Sequence, residues 1–193
     1  MMPDPSPATK PRCRRWLRRL FRWGEHLLAV AGILFIIYHV GFDLTVMTSP
    51  SMAPTLRGTC VKDGDWVLSE RVAYWFRRPR RWEIVAFHSS DGVPVMKRVV
   101  GLPGEEVSLR DGRVLVNGSP VAYPPALGGI KYVPDGMLHR GRAAKCGEGY
   151  FVLGDDSGDS QDSRYDGPVA LDRIERRAWL IVWPPSRIRW VTP

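Results

Sequence analysis

The apolar residues of this 193-residue chain form one long block followed by many short runs. The block, residues 27–47, holds 21 residues with a single charged side chain, Asp43. A helix of that length spans about 31 Å, close to the hydrocarbon thickness of a bilayer. We therefore predict a transmembrane helix over residues 26–47.

Basic side chains are concentrated just before this block. Residues 1–25 hold seven Lys and Arg residues against two acidic ones, and so carry most of the chain's net charge of +8. Such a block suits nucleic-acid binding, but here it flanks a predicted span and includes Trp16 and Trp23. Positive charge beside a span is typical of its cytoplasmic side, and Trp is common at the membrane interface. We expect residues 1–25 to be a cytoplasmic tail, residues 48–193 to form an extracytoplasmic domain, and no nucleic acid to bind.

A cleaved signal peptide is the alternative to a retained anchor. Ser51 and Ala53 are small residues two positions apart, as in many cleavage sites. However, Pro54 would follow the cut, and the densest apolar run ends near Val40, well upstream. The sequence therefore favours the retained anchor.

Beyond the span, short apolar runs alternate with turn residues, which is typical of a mainly β domain. The 19 Gly and 17 Pro residues fit such a turn-rich chain. Asp111 with Gly112 and Asn117 with Gly118 are pairs that favour tight hairpin turns. No later segment keeps a helical period, and residues 122–148 show no period at all, so we expect a long surface loop there. The predicted strands are 66–68, 83–88, 94–100, 107–109, 114–116, 150–153 and 178–183.

Cysteine and histidine do not suggest a metal site. The four histidines are scattered without the spacing that metal ligands need. Cys60 and Cys146 lie in the expected external domain, where a disulfide and two separate thiols both fit the sequence. We predict no metal and no cofactor.

Three polar segments carry candidate chemistry. In the first, Ser51 lies between two prolines, whose restricted backbone helps to aim a side chain. In the second, Lys97 interrupts an apolar β run. If Lys97 is buried, its pKa falls and its neutral amine can act as a base, whereas on an edge strand it is a solvated lysine. The third, residues 154–165, is rich in Asp, Ser and Gly but lacks the calcium-loop spacing, so we interpret it as an ordered loop with an Asp–Arg pair.

Together these segments resemble the type I signal peptidases, the Ser–Lys membrane proteases. Residues 49–56 are similar to the family's Ser-Gly-Ser-Met-x-Pro-Thr-Leu box, with Pro50 in place of the glycine. Residues 64–67 match its Gly-Asp-x-Val strand, and residues 97–104 match its Lys-Arg-x-x-Gly-x-Pro-Gly box. Residues 154–164 resemble the last box, Gly-Asp-Asn-x-x-x-Ser-x-Asp-Ser-Arg, with Asp156 in place of the asparagine.

The resemblance implies a signal-peptidase-like β-barrel or sandwich catalytic domain preceded by one N-terminal transmembrane helix. It makes Ser51 the nucleophile and Lys97 the general base, a pair that needs no histidine. Ser49, with the Ser51 backbone N–H, is implied as the oxyanion hole, and Ser160 as the serine that hydrogen-bonds and orients Lys97. Four further residues are implied to form a supporting ion-pair network: Asp155, Asp162, Arg98 and Arg164.

The implied function is a single-pass serine endopeptidase of the bacterial cytoplasmic (inner) membrane that removes signal peptides from exported preproteins. Its partners would be these preproteins and the phospholipid bilayer. Two alternatives are a Ser–Lys peptidase dedicated to one pilin or maturation substrate, and a non-catalytic membrane-tethered β binding domain. Trp66, Trp75 and Trp82 fit either contact with lipid or packing in the β core.

Overall fold

A computed structural model describes residues 12–191. The first part of the predicted cytoplasmic tail, residues 1–11, lies outside the described residues. The chain divides into two compact units, residues 1–40 and residues 41–193. We describe each unit separately.

The first unit consists of helix α1, Arg12–Gly41. Within it, Arg19–Gly41 is a stretch of 23 residues with a mean hydropathy of 1.6, long and apolar enough to cross a membrane. The predicted span is wrong at its C-terminal end, because the helix ends at Gly41 rather than at Met47. The apolar residues that follow, Phe42–Val46, form a β-strand instead.

The second unit is mainly β, as predicted, and its ladders are antiparallel. It contains two short helices, α2 (Val72–Phe76) and α3 (Ser163–Asp166). The described strands are β1 (Phe42–Val46), β2 (Trp66–Glu70), β3 (Ile84–His88), β4 (Pro94–Gly101), β5 (Glu106–Arg110), β6 (Arg113–Val116), β7 (Ser119–Pro120), β8 (Ala144–Lys145), β9 (Phe151–Leu153), β10 (Ile174–Trp183) and β11 (Arg189–Trp190).

These strands form two sheets. The larger has the order β1-β2-β10-β3-β4-β9, with β11 paired to β10. The smaller has the order β7-β6-β5-β8. The seven strands predicted from the sequence are all present, and the four that were missed are β1, hidden in the apolar block, and the two-residue strands β7, β8 and β11.

The turns of the smaller sheet follow the predicted residue pairs. Asp111 and Gly112, between β5 and β6, have φ of 51° and 75°. Asn117 and Gly118, between β6 and β7, have φ of 51° and 76°. Two successive left-handed residues give the turn whose twist matches a two-stranded ribbon, and Asn-Gly and Asp-Gly adopt it at low cost. Both predicted hairpins are therefore confirmed.

The segment 122–148 is not the surface loop that was predicted. Its apolar side chains Leu127, Ile130, Tyr132 and Leu138 are each at most 4% exposed and belong to the core of the smaller sheet. The segment runs through 3₁₀ turns, at Pro125–Leu127 and Gly136–Gly141, so its buried residues follow no regular period.

Burial distinguishes the two interpretations of Trp66, Trp75 and Trp82, which were contact with lipid and packing in the β core. Trp82 lies in the same core, and its indole N–H donates to the Ala122 carbonyl at 3.0 Å. Trp66 and Trp75 are exposed on the surface of the second unit. The core interpretation therefore describes Trp82, and for the exposed Trp66 and Trp75 contact with lipid stays a prediction.

Candidate active site

Ser51 lies in a single 3₁₀ turn, Pro50–Met52, which is capped by Ser49. The Ser49 hydroxyl oxygen accepts a hydrogen bond from the Ser51 N–H at 3.2 Å. Pro50 occupies the first position of the turn, where its fixed φ suits the backbone and its missing N–H leaves no turn hydrogen bond unmade. Proline at the position of the family's glycine is thus compatible with this turn.

Apolar packing fixes the Ser51 turn against the larger sheet. Met52 and Leu56, which follow Ser51, have no exposed surface. They belong to one buried cluster with Met47, Val67, Ile84, Met96, Ala178 and Ile181. Burying two large side chains within five residues of the serine restricts where its hydroxyl can point.

Lys97 reaches this serine from the middle of β4, where its backbone pairs with Val85 of β3. Its amino group donates to the Ser51 hydroxyl oxygen, with Nζ and Oγ 2.7 Å apart. The lysine is 4% exposed and the serine 7% exposed. The alternative of a solvated lysine on an edge strand is therefore wrong for Lys97.

Burial lowers the pKa of Lys97 below its ordinary value of 10.5. The main cause is loss of solvation of the ammonium form, and the nearby Arg164 guanidinium acts in the same direction. The carboxylates of Asp162, Asp155 and Asp159 oppose part of this effect. The lowered pKa increases the share of the neutral amine, which is the form that accepts a proton.

The segment that follows β9 contacts the backbone of Ser51 directly. The Asp156 N–H donates to the Ser51 carbonyl at 3.1 Å. At Gly154 a Cβ atom would lie 2.5 Å from the same carbonyl oxygen and would collide with the Ser160 side chain. Only glycine allows the two segments to approach this closely. Sequence reasoning did not assign Gly154 a role, although a glycine directly after a buried strand was the available signal.

The first of two buried ion pairs joins Arg98 to Asp155. The Nε–Oδ1 and Nη2–Oδ2 distances are 2.7 and 2.6 Å, and both side chains are at most 1% exposed. Arg98 also donates to the Trp82 carbonyl, and Asp155 accepts from the Thr55 hydroxyl at 2.5 Å. The pair therefore ties β4 to the segment that carries Ser51. Thr55 is a member of this network that sequence reasoning missed.

The second buried pair joins Asp162 to Arg164. The Nε–Oδ1 and Nη2–Oδ2 distances are 2.8 and 3.0 Å. Asp162 also accepts from the Gly154 N–H at 2.9 Å and from the Ser160 hydroxyl at 2.8 Å. One carboxylate thus holds the two ends of the loop together.

Ser160 is placed differently from the role that the resemblance implied. Its hydroxyl donates to Asp162, and the hydrogen bonds of the described residues include none between Ser160 and Lys97. A carboxylate accepts a stronger hydrogen bond than an uncharged group, which accounts for this choice of partner. Ser160 therefore acts on the site through the loop it helps to close.

A cleft of about 530 Å³ gives access to the Ser51 and Lys97 side chains. Ser49 also lines it, so the three implied reaction-centre residues share one wall. Apart from Lys97, its lining residues with ionisable side chains are Asp43, His88, Asp159, Glu175 and Arg176, and its apolar ones are Val46, Met47, Ala86, Phe87, Pro94, Val95 and Met96. The cleft therefore offers a mainly apolar surface next to the serine.

Two strand edges beside this cleft lack a β partner in the part of the chain that the structure describes. β1 pairs only with β2, which leaves its other edge open. β4 pairs with β9 from Arg98 onward, so residues 94–97 are unpaired on that side. Both segments line the cleft. Unpaired N–H and C=O groups of this kind can hydrogen-bond an extended peptide.

Within residues 12–191, no group of three or more His, Cys, Asp and Glu side chains is arranged to hold a metal ion. Cys60 is exposed and Cys146 is buried, and both are free thiols. Of the two possibilities that the sequence left open, the structure has the unlinked one. Burial raises the pKa of the Cys146 thiol to about 11, so it stays protonated at neutral pH.

Comparison with known proteins gives consistent matches. The family model described as "Signal peptidase, peptidase S26" matches residues 20–183. The probable signal peptidase I-2 of Synechocystis sp. is 35% identical over 158 residues, which cover 75% of this chain and 64% of the relative. Signal peptidase I of Leptolyngbya laminosa is 34% identical over 154 residues, covering 75% of this chain and 70% of the relative.

The matched region thus spans about two thirds of the length of these two relatives. Among solved structures, a signal peptidase I from Enterococcus faecalis V583 is 33% identical, with a TM-score of 0.43 over 52% of this chain and 97% of that one. Because the family model covers far more than half of the sequence, from residue 20 to residue 183, this chain belongs to the signal peptidase family, peptidase S26.

Proposed function

We propose that the chain is a membrane-anchored serine endopeptidase that removes signal peptides from exported preproteins. The observation that carries this proposal is the 2.7 Å hydrogen bond between buried Lys97 and Ser51 on the wall of an open cleft. The substrate class follows from membership of the family and from relatives named signal peptidase I.

Ser51 and Lys97 supply both chemical steps. The neutral Lys97 amine takes the Ser51 hydroxyl proton as the oxygen attacks the scissile carbonyl carbon. The resulting ammonium returns that proton to the nitrogen of the new N-terminus, and the peptide bond breaks to leave an acyl-enzyme. Lys97 then removes a proton from water as the water oxygen attacks the ester carbon, and it returns that proton to the Ser51 oxygen as the ester bond breaks and the signal peptide leaves.

Ser49 and the Ser51 N–H are the proposed oxyanion hole. In the described state these two groups bond to each other, with the Ser49 oxygen as acceptor. A hydroxyl donates one hydrogen independently of what it accepts, so Ser49 retains a donor for the substrate oxygen. The Ser51 N–H joins it by exchanging the Ser49 oxygen for the developing oxyanion.

Four charged residues and Ser160 are proposed as positioning residues. Arg98 with Asp155, and Arg164 with Asp162, hold the 154–164 loop against the Ser51 segment. Their carboxylates also moderate the lowering of the Lys97 pKa. None of the five needs to touch the scissile bond to act in this way.

The substrate is proposed to bind in extended form. A peptide laid between the open edges of β1 and β4 would pair its backbone with both strands. Successive side chains of a strand point to opposite sides, so alternate substrate residues would enter the apolar part of the cleft. Small side chains at two such positions, two residues apart, fit the family's preference.

The proposed location is the bacterial cytoplasmic membrane, with a single span and a cytoplasmic N-terminus. The span candidate Arg19–Gly41 and the basic residues at and before its start support this orientation. Residues 48–193 then form the extracytoplasmic peptidase domain. Strand β1, which precedes residue 48, belongs to the larger sheet of that domain.

One face of the larger sheet supports membrane contact. Register places Leu44, Leu68 and Leu180 side by side on it, followed by Trp190 of β11. We call this the outer face, and its exposed large apolar side chains are Leu44, Trp66, Trp183 and Trp190. Aromatic side chains with polar tips favour the boundary between lipid and water. We propose that the outer face rests on the bilayer surface.

The test is cleavage of a preprotein by the full chain in detergent, with the N-terminus of the product identified by mass spectrometry. We expect wild type to cleave after the signal peptide, and Ser51→Ala or Lys97→Ala to lose activity by on the order of 10³-fold or more. Ser119→Ala, an exposed serine on β7, is the matched control and should keep full activity. Full activity in either site variant would contradict the proposal, and cleavage of only one preprotein in a panel would indicate a dedicated peptidase.

A further inference from the structure

A second pocket shares no lining residue with the cleft and is lined in part by residues that follow Ser51 in the chain, Pro54, Thr55 and Arg57. It measures about 370 Å³ and is bounded by Thr55, Leu127 and Trp190, together with three arginines, Arg57, Arg187 and Arg189. No acidic side chain lines it among the described residues. Like charges repel one another, so the net charge at the pocket depends on which of these three arginines has its charge compensated by a hydrogen-bonded carboxylate.

Arg187 has its charge balanced. Its Nε and Nη2 atoms lie 2.7 and 2.6 Å from the two carboxylate oxygens of buried Asp65. The same carboxylate accepts the Arg57 backbone N–H at 2.8 Å. Because this ion pair compensates the Arg187 guanidinium, Arg187 brings little free positive charge to the pocket.

The other two arginines retain their positive charge. Arg189 donates to a carbonyl, that of Thr55 at 2.8 Å, and its remaining donors have no partner among the described residues. The Arg57 guanidinium, which is exposed, has no hydrogen bond or ion pair within the described part of the chain. Two uncompensated guanidinium groups at one small pocket form a site for an anion, and their planar donors match a phosphate group.

The pocket opens beside the outer face. Trp190 belongs to both, since it lines the pocket and is also one of the exposed aromatic residues of that face. We propose that this pocket binds the phosphate of an anionic phospholipid, with Arg57 and Arg189 as the ligands and Trp190 against the glycerol backbone. The proposal rests on the proposed membrane contact of the outer face and not on the peptidase activity.

The test measures lipid binding to the full chain in neutral detergent by native mass spectrometry, with phosphatidylglycerol and with phosphatidylcholine of the same acyl chains. Arg57→Gln/Arg189→Gln is compared with wild type and with Arg110→Gln/Arg142→Gln, which removes two exposed charges elsewhere. The basic residues before the span are present in all three proteins, so their contribution cancels. We expect the pocket variant to bind phosphatidylglycerol on the order of tenfold more weakly, while the control and wild type agree.

Three outcomes would overturn the proposal. They are equal phosphatidylglycerol affinity in the pocket variant and wild type, equal affinity of wild type for the two lipids, and glycerol 3-phosphate binding as tightly as the lipid. The last would assign the pocket to a soluble phosphate compound. Cleavage of a soluble peptide by the same three proteins reports the proposed peptidase activity separately, so failure of one proposal is distinguishable from failure of the other.

Discussion

Lys97 is a basic side chain that the fold keeps from water, and its chemistry follows from that position. The sequence predicted a lysine within an apolar strand but left its direction open, because alternation alone does not say which face of β4 is covered. The answer depends on the Ser51 turn, which is 46 residues away in sequence. The packing of Met52 and Leu56 places that turn over the lysine, and the contacts of the 154–164 loop with the Ser51 segment hold it there.

The lowered pKa of Lys97 predicts that the stability of the fold and the rate of cleavage both rise with pH. Between the folded-state pKa and the ordinary value of 10.5, the unfolded chain binds more protons, so stability rises with pH through this window. The destabilisation by Lys97 is full below the folded-state pKa and absent above 10.5. Cleavage rate should rise over the lower part of the same window as the amine becomes neutral.

The measurement compares wild type with Lys97→Met, which keeps the side chain's length without its charge. Thermal unfolding of wild type should move to higher temperature from pH 7 to pH 10 relative to the variant, and the variant should be at least as stable at pH 7. A pH dependence of unfolding that is the same in both proteins would show that Lys97 is already solvated and fully charged.

At the scale of elements, the loop between β9 and α3 holds the reaction centre together. It binds the Ser51 carbonyl, closes on itself through Asp162, and meets β4 through Asp155. The sequence predicted an ordered loop with an Asp–Arg pair, and the structure has two such pairs. The loop's partners in β4 and in the Ser51 segment lie 57 to 105 residues away, so sequence spacing could not identify them without the resemblance.

Two other elements were predicted less well, for different physical reasons. β1 continues the apolar block, and a run of apolar residues does not show where a helix gives way to a strand. The 122–148 segment buries its apolar side chains through short 3₁₀ turns and the two-residue strand β8, so it has no regular period to detect. By contrast, the Asp-Gly and Asn-Gly hairpins were predictable because their turns depend on two residues only.

Removing one member of a buried ion pair should cost far more than removing an exposed neighbour. Asp155→Ala leaves the Arg98 guanidinium buried without its carboxylate, which costs about 3–5 kcal/mol and lowers the melting temperature by at least about 6 °C. Asp156→Ala is the matched control, because that side chain is partly exposed and its backbone bond to Ser51 remains. The double variant Arg98→Met/Asp155→Leu should recover much of the lost stability, as measured by thermal unfolding in detergent. Equal melting temperatures for Asp155→Ala and Asp156→Ala would contradict the assigned role of the pair.

For the molecule as a whole, the basic side chains behind the net charge of +8 have more than one role. The basic residues among residues 1–25 are the proposed topology signal, while seven arginines of the second unit form ion pairs with acidic side chains of the described residues. Hydropathy predicted the span, and the motif order predicted the family. The outer face was not predictable, because it arises where β1, β2, β10 and β11 meet and each contributes only one or two apolar residues. The pocket was not predictable either, because its lining comes from three separate segments, residues 54–57, 126–127 and 187–191.

The central claim is that Ser51 is a nucleophile activated by Lys97, and covalent labelling tests it most directly. The full chain is treated with an acylating inhibitor of serine peptidases, and the adduct is located by peptide mass spectrometry. We predict one acyl group on Ser51 in wild type, none in Ser51→Ala, and labelling slower by on the order of 10³-fold in Lys97→Ala. An adduct on another residue, or labelling of Ser51 at an unchanged rate without Lys97, would contradict the account.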